Sequence, residues 1–112
     1  ESLMGTPYAP RAEGGLLLLE ELREKPYRLD RMLTQLRLSG LLEGVRAVLL
    51  GDFVLCGRPA LAVVLAALEG LRVPVVTGYP CGHGGRNVVL PLGAKAELAA
   101  DGTLRFPGLE PV

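Results

Sequence analysis

Tryptophan is absent, phenylalanine and tyrosine make up only 4% of the chain, and neither sign of charge prevails, because twelve Lys and Arg face twelve Asp and Glu. A core with so few rings has to be built from leucine, valine and alanine. The neutral balance offers no basic footprint for a nucleic acid or an anionic membrane surface, so neither is an expected partner. No apolar run approaches the roughly 20 residues that cross a bilayer. No charged stretch leads into an apolar leader segment either, so no signal peptide is expected. Cys56 and Cys81 are the only cysteines, in a chain that is 49% hydrophobic and has no need of a staple. Reduced thiols in the cytoplasm are the expectation. With 112 residues, the chain has room for one domain and one modest core.

The single histidine is the most informative scarcity. His83 lies inside Gly78-Tyr79-Pro80-Cys81-Gly82-His83-Gly84-Gly85-Arg86-Asn87, where four positions lack a Cβ. Such a segment buries little and is costly to order, which fits a backbone that has to pass close to something. It follows the strand-like run Val73 to Val76, so an imidazole is expected just beyond a strand end, where open α/β sheets place their sites.

Residues 1 to 13, with Gly5, Pro7 and Pro10, read as an irregular lead-in. Leu16 to Leu19 is apolar on both faces and stops at Glu20-Glu21, the mark of a strand buried in a parallel sheet. Leu29, Met32, Leu33 and Leu36 form one helical stripe that Gly40 caps. Val45 to Leu50 gives a second strand ending at Gly51-Asp52. Arg58-Pro59 opens a second helix, with Leu61, Val64, Leu65, Leu68 and Leu71 as its stripe and Gly70 at its end. Val73 to Val76 completes βαβαβ, a grammar that makes the three strands parallel.

Past the glycine loop the pattern changes to short strands at Val88 to Leu90, Ala94 to Ala99 and Thr103 to Phe106, the last two joined by an Asp101-Gly102 turn. Pro107, Gly108 and Pro111 close the chain. The expected fold is α/β: a small mixed sheet with a parallel βαβαβ core, an added antiparallel hairpin and two main helices.

Parallel strands bring their carboxyl ends to one rim. Glu20 at the first, Asp52 at the second and His83 after the third are thereby gathered together. A carboxylate that accepts the Nδ1 proton of a histidine fixes the tautomer and leaves Nε2 to serve a nucleophile. Asp52 is the weaker candidate, since Gly-Asp after a strand commonly forms a turn or a cap.

The nucleophile is missing. Ser2 and Ser39 sit in no strand-to-helix elbow, and Cys81 is too close along the chain to His83 for good geometry. A zinc site from Cys56, Cys81 and His83 lacks a ligand and a familiar spacing. Anion binding by the loop amides with Arg86 stays open as a rival, although no helix follows to add its dipole.

Several motifs, taken in order, are familiar. Gly5-Thr6-Pro7-Tyr8, Leu19-Glu20-Glu21, the run from Lys25-Pro26-Tyr27 to Thr34-Gln35-Leu36, Leu50-Gly51-Asp52-Phe53, and Gly82-His83-Gly84 with Asn87, Leu90-Pro91 and Gly93 resemble the C-terminal domain of the serine LD-carboxypeptidases. That family includes muramoyltetrapeptide carboxypeptidase and the microcin C self-immunity peptidases. The resemblance implies a swivelling β/β/α-like domain over residues 14 to 112 that supplies Glu20 and His83 to a Ser-Glu-His triad. The serine would belong to an N-terminal domain absent from this chain, and the first residue, Glu1, fits an upstream portion.

The implied reaction is removal of the terminal D-alanine from murein tetrapeptides, as part of cytoplasmic peptidoglycan recycling. It needs no cofactor and no metal, and the family suggests a homodimer. Two alternatives stand beside it: a microcin-immunity-type peptidase, and a ligand-binding or dimerisation module without chemistry.

Overall fold

A computed structural model describes residues 1 to 109. Pro111, one of the closing prolines, lies outside the described residues. Three parallel strands, β1 (Leu16–Leu22), β2 (Ala47–Val54) and β3 (Val75–Val76), stand in the order β1-β2-β3. Helix α1 (Pro26–Leu38) joins the first pair, and α2 (Ala60–Leu68), extended by a short 3-10 turn at Glu69–Leu71, joins the second. The parallel βαβαβ core and the two principal helices are therefore present as the sequence implies.

Both helices pack on one face of the sheet. Leu29, Leu33 and Leu36 of α1 and Ala60, Val64 and Leu68 of α2 form one buried cluster with Val48 and Leu50 of β2. The alternation of a strand turns the neighbours Ala47 and Leu49, also buried, to the opposite face.

Proline at the first turn starts α1, where a missing N–H costs nothing, and a 2.9 Å Glu24–Arg28 ion pair adds i,i+4 support. Gly40 ends it with a positive φ of 77°. There the Leu41 and Gly40 amides donate to the carbonyls of Leu36 and Arg37, a Schellman closure.

The stripe of α2 differs from the expected one. Leu61 and Leu65 are 42% and 38% exposed, while Ala60, Val64 and Leu68 face the core. No polar residue interrupts Ala60 to Leu68, so the pattern carries no contrast that would say which side faces inward.

Strand limits also differ. β1 and β2 continue through Glu20-Glu21 and Gly51-Asp52 instead of stopping there, because the last residues of a parallel strand emerge into solvent, where charge is tolerated. Val88 to Leu90 is not a strand. The Val88 amide bonds back to the Pro80 carbonyl, Val89 is 96% exposed, and Pro91 follows with no N–H to give.

The hairpin forms between β4 (Glu97–Leu98) and β5 (Leu104–Arg105) as a two-stranded antiparallel sheet of its own. It stands off the second face of the parallel sheet across a cavity of about 780 Å³, lined by Leu16, Leu18, Leu49, Leu98, Leu104 and Phe106.

Two outcomes follow from these contacts. Leu50 has no exposed surface, so Leu50→Ala should lower unfolding stability by about 2–5 kcal/mol, whereas Leu38→Ala, on a residue 81% exposed, should stay within about 0.5 kcal/mol. Urea midpoints measure both. In the hairpin turn, hydrogen bonds from Thr103 hold the Asp101 carboxyl below its usual value of 3.8. A lowered value means that the turn's support is complete above pH 3.8 and is lost as pH falls through the folded value. The Thr103 amide resonance should move only in that acidic window.

Candidate active site

Glu20 and His83 meet at the carboxyl rim of the parallel sheet. The imidazole Nδ1 lies 2.7 Å from Glu20 Oε2, across 63 positions of sequence. The imidazole side chain is 52% exposed and the carboxylate 30%, so the pair is open to a molecule approaching from solvent. With Glu20 ionised, Nδ1 donates and Nε2 keeps its lone pair.

A bulge sets this geometry. Leu19 pairs with Leu50 and Glu21 with Phe53, so two residues of β2, Gly51 and Asp52, stand opposite the single Glu20. Bulges are uncommon between parallel strands and tend to re-aim side chains beside sites.

The histidine loop settles onto this bulge. The Cys81 carbonyl accepts the Asp52 amide at 2.9 Å, and the Tyr79 amide donates to the Leu50 carbonyl at 3.0 Å. A side chain at Gly51 would collide with the Cys81 carbonyl, so the loop's closest approach requires glycine in the strand. Gly82, at φ +123°, would carry a Cβ into the Glu20 carboxylate, and a Cβ at Gly84 would fall inside that of Asp52. Gly85 faces open space. The reading that this backbone passes close to something thus holds at Gly82 and Gly84, and what it passes is a pair of carboxylates.

Asp52 makes no hydrogen bond to the imidazole. Its Oδ2 accepts the Gly84 amide at 3.1 Å. Asn87 Oδ1 accepts the Gly82 amide at 3.2 Å, and the Cys81 amide donates to the Tyr79 carbonyl. Three loop amides, those of Cys81, Gly82 and Gly84, are thereby engaged inside the protein and are not free to bind an anion. The contribution of Asn87 was not legible beforehand, since its partner is a backbone amide five residues away whose direction depends on the loop conformation.

Cys56 is buried with its thiol toward the carbonyls of Glu21 and Val54, and both it and Cys81 are free thiols. Ser39 closes α1 at the other end of the sheet, donating to the Leu36 carbonyl and lying 3.2 Å from Met4 Sδ, while Ser2 belongs to the same lead-in as Met4. Among the described residues no serine reaches the rim. An apolar groove of about 610 Å³ runs along the unpaired edge of β1 and ends at Glu20. No helix among the described residues is long and apolar enough to cross a membrane.

A parallel α/β layer with helices on one face and a hairpin beyond the other is an architecture shared with a solved carboxypeptidase. Residues 1–98 match the model of the LD-carboxypeptidase C-terminal domain, and the chain belongs to that family of hydrolases. The murein tetrapeptide carboxypeptidase of Pseudomonas aeruginosa is 36% identical over 100 residues, covering 85% of this chain and 32% of that protein. The microcin C7 self-immunity protein MccF of Escherichia coli is 29% identical over 105 residues, covering 88% and 30%. The crystal structure of muramoyltetrapeptide carboxypeptidase from Oxalobacter formigenes superposes with a TM-score of 0.78 at 38% identity, covering 92% of this chain and 39% of that one. The chain therefore spans about a third of the length of these relatives.

The glycines give a graded expectation. Gly51→Ala should be the most damaging, because the obstacle is backbone, at about 1–3 kcal/mol or more. Gly84→Ala should cost less, by displacing the Asp52 carboxylate, and Gly85→Ala should leave the urea midpoint unchanged.

Proposed function

We propose that this chain supplies the acid, Glu20, and the base, His83, of a Ser-Glu-His triad, and that the serine lies in a portion of the full-length protein outside it. The observation that carries the reading is the 2.7 Å contact of Glu20 with His83 at an open rim to which neither Ser2 nor Ser39 belongs. An oriented imidazole with nothing to deprotonate is half of a nucleophilic site.

In the reaction, His83 Nε2 takes the serine proton as the hydroxyl attacks the carbonyl of an L,D-peptide bond. It then returns that proton to the amine of the departing D-alanine. Water repeats the sequence on the acyl-enzyme, giving its proton to the imidazole and releasing the shortened peptide. Glu20 holds the Nδ1–H through both steps and stabilises the imidazolium that forms in each. Oxyanion donors would come from the serine's own domain.

We favour murein tetrapeptide as the substrate class over a microcin-type peptidyl nucleotide. Its support is the higher identity to the murein enzymes, 36% and 38%, than to MccF, 29%. Two free thiols suit a cytoplasmic setting for peptidoglycan recycling.

The full-length protein incubated with murein tetrapeptide should release D-alanine, and His83→Ala should lower kcat by about 10⁴-fold or more. The 112-residue chain alone should release none. Release by the isolated chain that His83→Ala abolishes would overturn the placement of the nucleophile elsewhere.

A further inference from the structure

We infer that Asp52 is a positioning residue for His83: an anionic clamp that fixes the histidine loop so that the imidazole meets Glu20. The inference rests on the reading of His83 as the base, and it assigns a task to a carboxylate that the triad does not use.

Asp52 engages the loop on both sides of the histidine. Its backbone amide donates to the carbonyl of Cys81, two residues before His83, at 2.9 Å. Its carboxylate accepts the amide of Gly84, one residue after, at 3.1 Å. Among the described residues the His83 side chain makes one hydrogen bond, to Glu20, and stands more than half exposed. A glycine-rich segment of this kind has many conformations to lose on ordering, so the clamp rather than the imidazole must supply much of the order.

The chemistry suits that task. A bond from a backbone N–H to an ionised carboxylate is about twice as strong as its neutral equivalent. An aspartate is short enough to hold the amide close to the strand, and the absence of a Cβ at Gly84 lets the carboxylate lie against the loop backbone. The bulge contributes as well. Because Gly51 and Asp52 share one partner, glycine can lie under the Cys81 carbonyl while the next residue reaches Gly84. In a regular ladder a single residue would have to do both.

Asp52 is also the obvious rival to Glu20 as the triad acid, and the two roles separate in a test. The chain has one histidine, so its imidazole nitrogen resonances are unambiguous. In the 112-residue chain, Asp52→Ala should turn a single Nδ1–H tautomer into a mixture and raise the hydrogen-exchange rate of the Gly84 amide. Asp52→Asn, which keeps an acceptor oxygen, should retain most of the wild-type signature. Glu20→Gln should disturb the tautomer and leave Gly84 exchange as it is. In the full-length protein, Asp52→Ala should lower kcat for D-alanine release about 100-fold with KM little changed, the order expected for a misplaced group, and Asp52→Asn should recover at least about tenfold of that loss.

Wild-type tautomer and wild-type Gly84 exchange in Asp52→Ala would overturn the inference. Should Asp52→Ala not fold, Gly84→Ala displaces the same contact from the loop side and takes its place in the tautomer measurement, where a mixture is expected and a single wild-type tautomer would overturn the inference. A wild-type full-length protein that releases no D-alanine would sink the proposed reaction, while the resonance and exchange measurements would still decide the clamp.

Discussion

The arrangement at the rim depends on how closely a loop can approach a strand. At Gly51 a carbonyl of the histidine loop rests where a side chain would otherwise be, and this backbone-on-backbone contact brings His83 down to Glu20. Hydrophobic burial holds the helices on the sheet and is indifferent to small displacements. The rim is different, because a hydrogen bond of 2.7 Å tolerates little shift before it weakens. The core thus provides a firm base, and a few contacts made possible by missing Cβ atoms convert it into a defined geometry.

Much of this was legible in the residues. Alternation between continuous apolar runs and a helical stripe identified three strands and two helices, and parallel connection then placed Glu20 and His83 on one edge without reference to any contact. The physical reason is that direction is a property of the chain. Once crossovers make strands parallel, their ends are sorted whatever the side chains do.

Other features were hidden for equally physical reasons. The extra residue of β2 leaves no trace in the hydrophobic pattern, since Gly51-Asp52 reads equally well as a strand end. Asp52 therefore looked like a turn residue, although it lies within the strand and grips the loop. In α2 the apolar residues surround the helix and conceal its inward side. Val88 to Leu90 has the composition of a strand, but a bond back to Pro80 and a following proline leave it no ladder to join. In each case the residues signal a propensity, and the outcome is decided by a neighbour distant in sequence.

The bulge bears on how such chains can diverge. Leu50 and Phe53 stand opposite Leu19 and Glu21, two apart on β1, so removing either residue opposite Glu20 would restore even pairing and leave Phe53 in the helical layer, where it packs against the core. Length at this point is thus fixed by the rim and not by the core. A deletion would leave the apolar layer in register and remove either the glycine under the Cys81 carbonyl or the carboxylate that holds Gly84, so the number of residues between Leu50 and Phe53 is a mark of the site and not of the fold.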